Sequence, residues 1–332
     1  MWATIKRGAF AAVLSSLALL THAAPIKVGY LPNLGFAPLN VAEEKGYWKE
    51  LGVQVQLVPF TESRTLLKAL GDGEVDIAGD LTANFVGAQM EGAPIKLTAE
   101  THTSNGSVKI LLKAGADVTK LNGQILGVGD KQVGQLFLLA RYLSANGRQL
   151  SDYRLMEASP EKLAAAFAKG QISLSVLPDP QAMFIYRTVG ASIPADSATY
   201  AGIVTEGFAA NKQAIASIPD EQWVRFYRGW LKGVSWVRSG GTRFADFKSS
   251  LNAGLFKGFV AEGDTSMMAG LASIKFPNAA EAAKRHGDLG GLEYHVRAVL
   301  RFMREARLIQ TEPEARSLIQ STAFERALAA NK

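Results

Sequence analysis

The chain has 332 residues, of which 48% are hydrophobic and 20% charged, with a formal net charge of +6. This suits a globular protein of one or two domains with ample core. It holds no cysteine, which excludes disulfides, thiol catalysis, thiolate metal sites and a lipid-anchor cysteine.

Residues 1–24 differ from the rest. Lys6 and Arg7 make a basic start, Ala9 to Leu20 is apolar or small, and Thr21-His22-Ala23 offers small residues where a signal peptidase reads. The apolar run is short for a bilayer and suits a secretory segment. A signal peptide cleaved near Ala23 or Ala24 is expected, and with it a periplasmic protein. Removing its two positive charges from the formal +6 leaves +4. The later basic residues are scattered, as in Lys284, Arg285, Arg297, Arg301, Arg304 and Arg307. They read as solvated helix faces, so no nucleic-acid partner is expected.

Ile26 to Tyr30 is a first strand. The loop Leu31 to Phe36 leads into a helix that opens near Pro38, where a missing N–H costs nothing, and runs to about Trp48. Val53 to Val58 alternates as a strand, and Leu66, Leu67 and Leu70 make one face of a helix. The stretch Gly71 to Leu81 organises what precedes and follows it. A turn, Gly71-Asp72-Gly73, opens an apolar strand, Val75 to Ala78, which stops at Gly79-Asp80. A helical pattern through Leu81, Phe85, Val86 and Met90 follows. A buried strand ending in a polar loop and opening into a helix is the carboxyl end of a parallel βα unit, where ligands sit in open α/β sheets. Gly79 to Thr82 is therefore one wall of a cleft. Pro94 to Ala99 completes a β-α-β-α-β-α-β series, hence a parallel sheet.

The polar run Thr101 to Gly106 then reads as a first crossover between lobes. A second series follows: strand Ile125 to Val128, loop Gly129 to Gln132, and a helix marked by Val133, Leu136, Phe137, Ala140 and Leu143. Strand Tyr153 to Met156, a helix ending at Gly170, and a strand through Ile172, Leu174 and Val176 come next. That strand ends at Pro178-Asp179-Pro180. Ser192 to Tyr200 is a second crossover and Gly202 to Thr205 a return strand. The remainder is helical, with Trp223, Phe226, Tyr227, Trp230, Leu231 and Val234 on one stripe that packs on a core.

Ile26 to Tyr30, Phe36-Ala37-Pro38-Leu39 and Ala42 to Trp48 resemble the opening of the nitrate/sulfonate/taurine-type substrate-binding proteins of ABC importers. Val55 to Phe60, Gly73 to Ala78, Gly92 to Lys96, Leu121 to Val128 and, more weakly, Asp179-Pro180 continue the resemblance, which spans about Ile26 to Phe208. It implies a type II periplasmic binding fold: two α/β lobes, two crossover strands, and a ligand closed between them. The expected organisation is lobe 1 over 25–105, lobe 2 over 106–199, and lobe 1 again over 200–332. The implied partners are a small-molecule ligand and an inner-membrane ABC permease. A monomer without cofactor is expected.

Strand ends place Asn33, Phe36, Asp80, Leu81, Thr82 and His102 on the lobe 1 side of the cleft. Asp130, Lys131, Gln132 and Asp179 stand on the lobe 2 side, and Glu206 follows the return strand. Phe36 either stacks on a ligand or staples the helix start. His102 is a ligand contact or a structural polar group. In the family resembled, the loop matching Gly129 to Val133 tends to be rich in Ser and Thr and holds an anionic head at a helix N-terminus. Here Asp130 either caps the helix or touches the ligand, and its charge disfavours an anion. Three acids, Asp80, Asp130 and Asp179, suit a ligand with amine or amide donors. Asp76 is read as bonding nearby backbone. There is no Gly-x-Ser-x-Gly elbow and no P-loop, and His22, His102, His286 and His295 show no metal spacing. The expected function is delivery of a small organic solute to an importer. An enzyme on the same fold, of pyrimidine-precursor or menaquinone-pathway type, and a ligand-presenting sensor are the alternatives.

Overall fold

The structure is a computed structural model that describes residues 24–239 and 270–330. The expected signal segment therefore lies, except for Ala24, outside the described residues.

Eleven strands among the described residues form two sheets. The first sheet begins with β1 (Ile26–Tyr30), followed by α1 (Ala37–Glu44) and α2 (Tyr47–Glu50). Next come β2 (Val55–Pro59), α3 (Ser63–Gly71), β3 (Ile77–Leu81), α4 (Thr82–Met90) and β4 (Ile95–Ser104). β1 pairs in parallel with β2 and β3. The chain then enters the second sheet through β5 (Val108–Leu112), β6 (Ile125–Gly129), α5 (Val133–Ala145), β7 (Arg154–Ala158) and α6 (Pro160–Ala168). β8 (Leu174–Pro178), α7 (Gln181–Val189) and β9 (Ser192–Asp196) complete it. β6, β7 and β8 are parallel, and β5 runs antiparallel to β8 and β9. The chain returns to the first sheet as β10 (Thr205–Asn211), then α8 (Lys212–Ser217), α9 (Asp220–Arg238) and the short β11 (Ile274–Lys275). The resulting orders are β11-β4-β10-β3-β1-β2 and β7-β6-β8-β5-β9. This is the two-sheet α/β architecture, crossed twice by the chain, that the sequence resemblance implies.

Three boundaries differ from expectation. β3 continues through Gly79 and Asp80, which read as a turn by composition. They pair with Phe208 and Gly207 of β10. β4 likewise runs five residues past Ala99, so most of the polar run expected to be a flexible crossover is a buried strand. The return strand is Thr205–Asn211, not Gly202 to Thr205. β10 is threaded antiparallel between β3 and β4, so β1 to β4 share a direction without forming an unbroken parallel sheet. Every residue of β10 is buried, and small residues suit a strand covered on both faces. A Cβ on Gly207 would stand 2.0 Å from the Ala99 carbonyl oxygen.

Two hydrophobic cores sandwich the first sheet. On one face, α3, α4 and the helix Gly291–Glu305 pack on Val75, Ala78, Leu97 and Ala209. On the other, α1 and α9 pack Phe36, Leu39, Phe226, Tyr227 and Trp230 on Val28, Ile77 and Phe208. The aromatic stripe expected on α9 is thus core. The two crossings between sheets are tied together by serines. Ser104 Oγ lies 2.6 Å from both Ser107 Oγ and Ser197 Oγ, and Gly106 N donates to Ser197 Oγ at 2.8 Å. Asp76 accepts from Lys27 N at 2.8 Å, as expected.

Candidate functional site

The carboxyl end of β3, the start of β10 and the far end of β4 meet at one edge of the first sheet. Register puts Glu206 between Leu81 and His102. Asn33, in the loop after β1, donates through Nδ2 to Glu206 Oε2 at 3.3 Å, and its Oδ1 accepts from Phe36 N at 3.1 Å. Thr101 Oγ1 donates to the Glu206 carbonyl at 3.2 Å. His102 Nδ1 lies 2.9 Å from that hydroxyl, and Nε2 faces Glu206 Oε2 at 3.4 Å. The ring is 1% exposed, held edge-on by Phe36 and tilted against Phe276. Gly35 lies so close that a Cβ there would sit 2.0 Å from Nε2.

Phe36 itself is fully buried against His102, Phe208 and Trp230. Leu81 is also buried and belongs to the core of the second sheet. Thr82 opens α4 fully buried, donating to the Thr205 carbonyl at 3.1 Å and meeting the Thr205 hydroxyl.

Asp80 is 3% exposed. Its Oδ1 accepts from Leu81 N at 2.7 Å and Asn84 Nδ2 at 3.1 Å, and the Ser63 hydroxyl also bonds the carboxylate. Burial pushes its carboxyl up to about 6, and the nearby Glu206 charge adds to the rise. Asn84 also reaches the second sheet. Its Nδ2 donates to Gln132 Oε1 at 3.1 Å, and its Oδ1 accepts from Gly134 N at 3.2 Å. Gln132 Nε2 in turn donates to Ser63 Oγ at 2.6 Å.

Asp130 is a correction. The residue at the cap position of α5 is Gln132, and Asp130 instead takes a two-pronged pair from Arg64, at 2.5 and 2.6 Å. Hydrogen bonding to that guanidinium holds the Asp130 carboxyl below the usual range. Lys131, with φ of +57°, turns outward to Glu91 at 2.5 Å. Asp179 sits apart, beside the first crossing. It accepts from Lys109 Nζ at 2.5 Å, and its N–H donates to the Ser107 carbonyl at 2.8 Å. Burial raises its carboxyl, opposed by Lys109. The three acids expected to act together are therefore dispersed: Asp130 and Asp179 each hold a cation, and Asp80 does not.

Sequence reasoning passed over Ser63, Arg64, Asn84 and Glu91. Ser63 and Arg64 open α3 just after β2, the same kind of strand-end position used to choose Asn33 and Asp80. Asn84 was findable as the residue four after Asp80 on the first turn of α4. A cleft of about 250 Å³ flanks the α4–α5 contact, with Met90, Val133, Met303 and Leu308 among its lining residues.

A family model described as NMT1/THI5 like matches residues 33–239. The chain belongs to that family. A Brucella abortus protein named as a candidate binding protein is 27% identical to this NMT1/THI5-like chain over 178 residues, covering 51% of it and 54% of the relative. The chain thus spans about half the length of the curated relatives it matches. The alkanesulfonate-binding protein SsuA of Xanthomonas axonopodis, bound to MOPS, superposes with a TM-score of 0.71 at 18% identity, covering 90% of this chain and 99% of that one. The desulfurization enzyme DSZB superposes at 0.61 with 13% identity, covering 92% and 99%. At these identities the likeness is one of fold.

Proposed function

We propose that the protein is an extracytoplasmic solute-binding protein. Its two lobes, 25–105 with 200–332 and 106–199, close on a small organic solute and offer the closed form to an inner-membrane ABC permease. The observation that carries this reading is the meeting of the two sheets on polar side chains at strand ends: Gln132 and Gly134 of one against Ser63 and Asn84 of the other. Beside these bonds, Val133, Leu136 and Phe137 of the second lobe share an apolar contact with Phe302 and Met303 of the first, a surface that a closed form covers and an open one exposes. Family membership, the binding-protein relatives and the signal-like start support it. Asn33, Asp80, Thr82, His102, Gln132 and Glu206 are the residues we assign to the solute's surroundings. Binding is proposed in place of catalysis, although DSZB shares the fold. His102 and Glu206 are 1% and 9% exposed, held by Thr101, Asn33 and Gly35.

Thermal unfolding across a panel of sulfonates, nitrate, aromatic acids, pyrimidines and amines tests the reading. A solute at a hundred times its dissociation constant adds about 2.7 kcal/mol, a rise of several degrees. A panel that leaves the midpoint unmoved throughout sinks it.

A further inference from the structure

We propose that the half-open cleft between α4, α5 and the helix Gly291–Glu305 is a second ligand site, for a small uncharged ring compound of about indole size that bridges the two lobes. The site is independent of the binding-protein reading, because only Gln132 of the residues assigned above to the solute lines it.

The cleft lies where two strands run out side by side. Val128 and Gly129 close β6, Glu157 stands one residue from the end of β7, and the two strands are parallel. The carboxyl ends of parallel strands are where open α/β sheets hold ligands. The walls come from both lobes: Met90, Met303 and Leu308 from the first, Val128, Val133 and Leu136 from the second. Phe137 and Phe302, next to Leu136 and Met303 in sequence, stack at 4.9 Å and tie the walls together. Gly87 lets α4 approach α5, since a Cβ there would stand 2.7 Å from Val133 Cγ2.

Volume sets the size of the occupant. The cleft holds about 250 Å³. An apolar cavity of about 150 Å³ takes benzene, and pockets for drug-sized molecules begin at about 300 Å³, so the fit is a single fused ring system. The two methionines offer flexible, polarisable contacts that shape themselves to a flat ring. Leu308 leaves 48% of its surface in water, apolar area that the ring would cover.

Charge of either sign is disfavoured. The Lys131 ammonium is taken by Glu91 at 2.5 Å, so an anion would find no free cation in the lining and would face Glu157. Glu157 is exposed, where water screens its pull on a cation. A cation would also meet Lys131 and, past the shared Ile309, Arg304 and Arg307 of the adjoining groove. A neutral ring seated here touches both lobes and favours the arrangement in which they meet.

Isothermal titration of the purified protein with indole, tryptamine and indole-3-acetate tests the site. Indole is expected to bind at one equivalent, and each charged homologue at least threefold more weakly. Met90→Trp fills the cleft from its own wall and is expected to weaken indole binding tenfold or more. Leu308→Ser, at an exposed position, is expected to weaken it threefold or more. Thermal midpoints are recorded for both variants, and one that fails to fold is set aside for the other. No binding of indole overturns the proposal, and so does indole binding that the folded variants leave unchanged. A charged homologue that binds more tightly than indole overturns it as well. If the ring probes fail while another solute raises the thermal midpoint of both the parent and Met90→Trp, the site falls and the binding-protein reading stands.

Discussion

Asp80 is held in the protein interior by Leu81 N, Asn84 Nδ2 and the Ser63 hydroxyl, which offset only part of the cost of burying its charge. A buried carboxylate without full hydrogen bonding holds its proton more tightly folded than unfolded. Its folded value of about 6 stands above the ordinary 3.8. The sign follows: the charged form costs stability above pH 6, the cost is relieved as pH falls through that value, and it is gone below about pH 4. Asp80→Asn removes the ionisation and keeps acceptor Oδ1 for Leu81 N and Asn84 Nδ2. The variant is expected to be more stable than the parent at pH 7.5, by at most about 3 kcal/mol, with the difference falling to about a third of that at pH 4.5. Urea unfolding at the two pH values checks this. An Asn variant less stable at both would mean that the Ser63 bond outweighs the cost of burying the charge.

At the scale of elements, periodicity and pairing pulled apart. α5 and α9 were legible because Leu136, Phe137, Leu143, Trp223, Phe226 and Trp230 recur at helical spacing, and burying such a stripe is what a surface helix does. The ends of β3 and β4 and the whole of β10 were not. Central strands covered on both faces need neither alternation nor β-branched residues, and Gly79-Asp80, Thr101-His102-Thr103 and Glu206-Gly207 carry turn or polar composition. Their strand state is imposed by partners far along the chain. The same holds for the site. Strand-end logic found Asn33, Asp80 and Gln132, but the partners that decide whether an acid is free are set by distant pairing: Arg64 reaches Asp130 from the other lobe, and the antiparallel pairing of β5 with β8 brings Lys109 to Asp179. β10 also gives the sharpest test of packing. Gly207→Ala puts a methyl group 2.0 Å from the Ala99 oxygen, where backbone must yield on a strand paired on both sides. A loss of about 3 kcal/mol is expected from denaturant unfolding, and a loss below about 1 kcal/mol would show that the β-bulge beside it absorbs the strain.

Across the whole molecule, the two sheets are joined by chain at the serine-tied crossings and by contact where α5 meets α4 and the helix Gly291–Glu305. Arg64 and Asp130 lie on the rim of that contact, with side chains 55% and 30% exposed. Their pair is accordingly worth little to global stability. A double-mutant cycle on Arg64→Ala and Asp130→Ala is expected to give about 0.5–1 kcal/mol of coupling, falling with added salt. The two changes should matter more for shape, because they remove an outer clasp between lobes. Small-angle scattering without solute should show a larger radius of gyration in Arg64→Ala than in the parent. Equal radii would mean that the Gln132–Asn84 bond and the packing of Phe137 on Phe302 hold the lobes together without it.

Asn84 carries a consequence of a different order. By bonding Asp80, Gln132 and Gly134 N at once, it would, on the binding-protein reading, favour the shut arrangement whether or not a solute is held. In a transporter, a shut and empty carrier competes with loaded ones for the same docking face, and it invites the pump to hydrolyse ATP with no cargo to move. The strength of one amide's three bonds would then set how much fuel the cell wastes at low solute and how quickly a vacated carrier is cleared from the permease for the next.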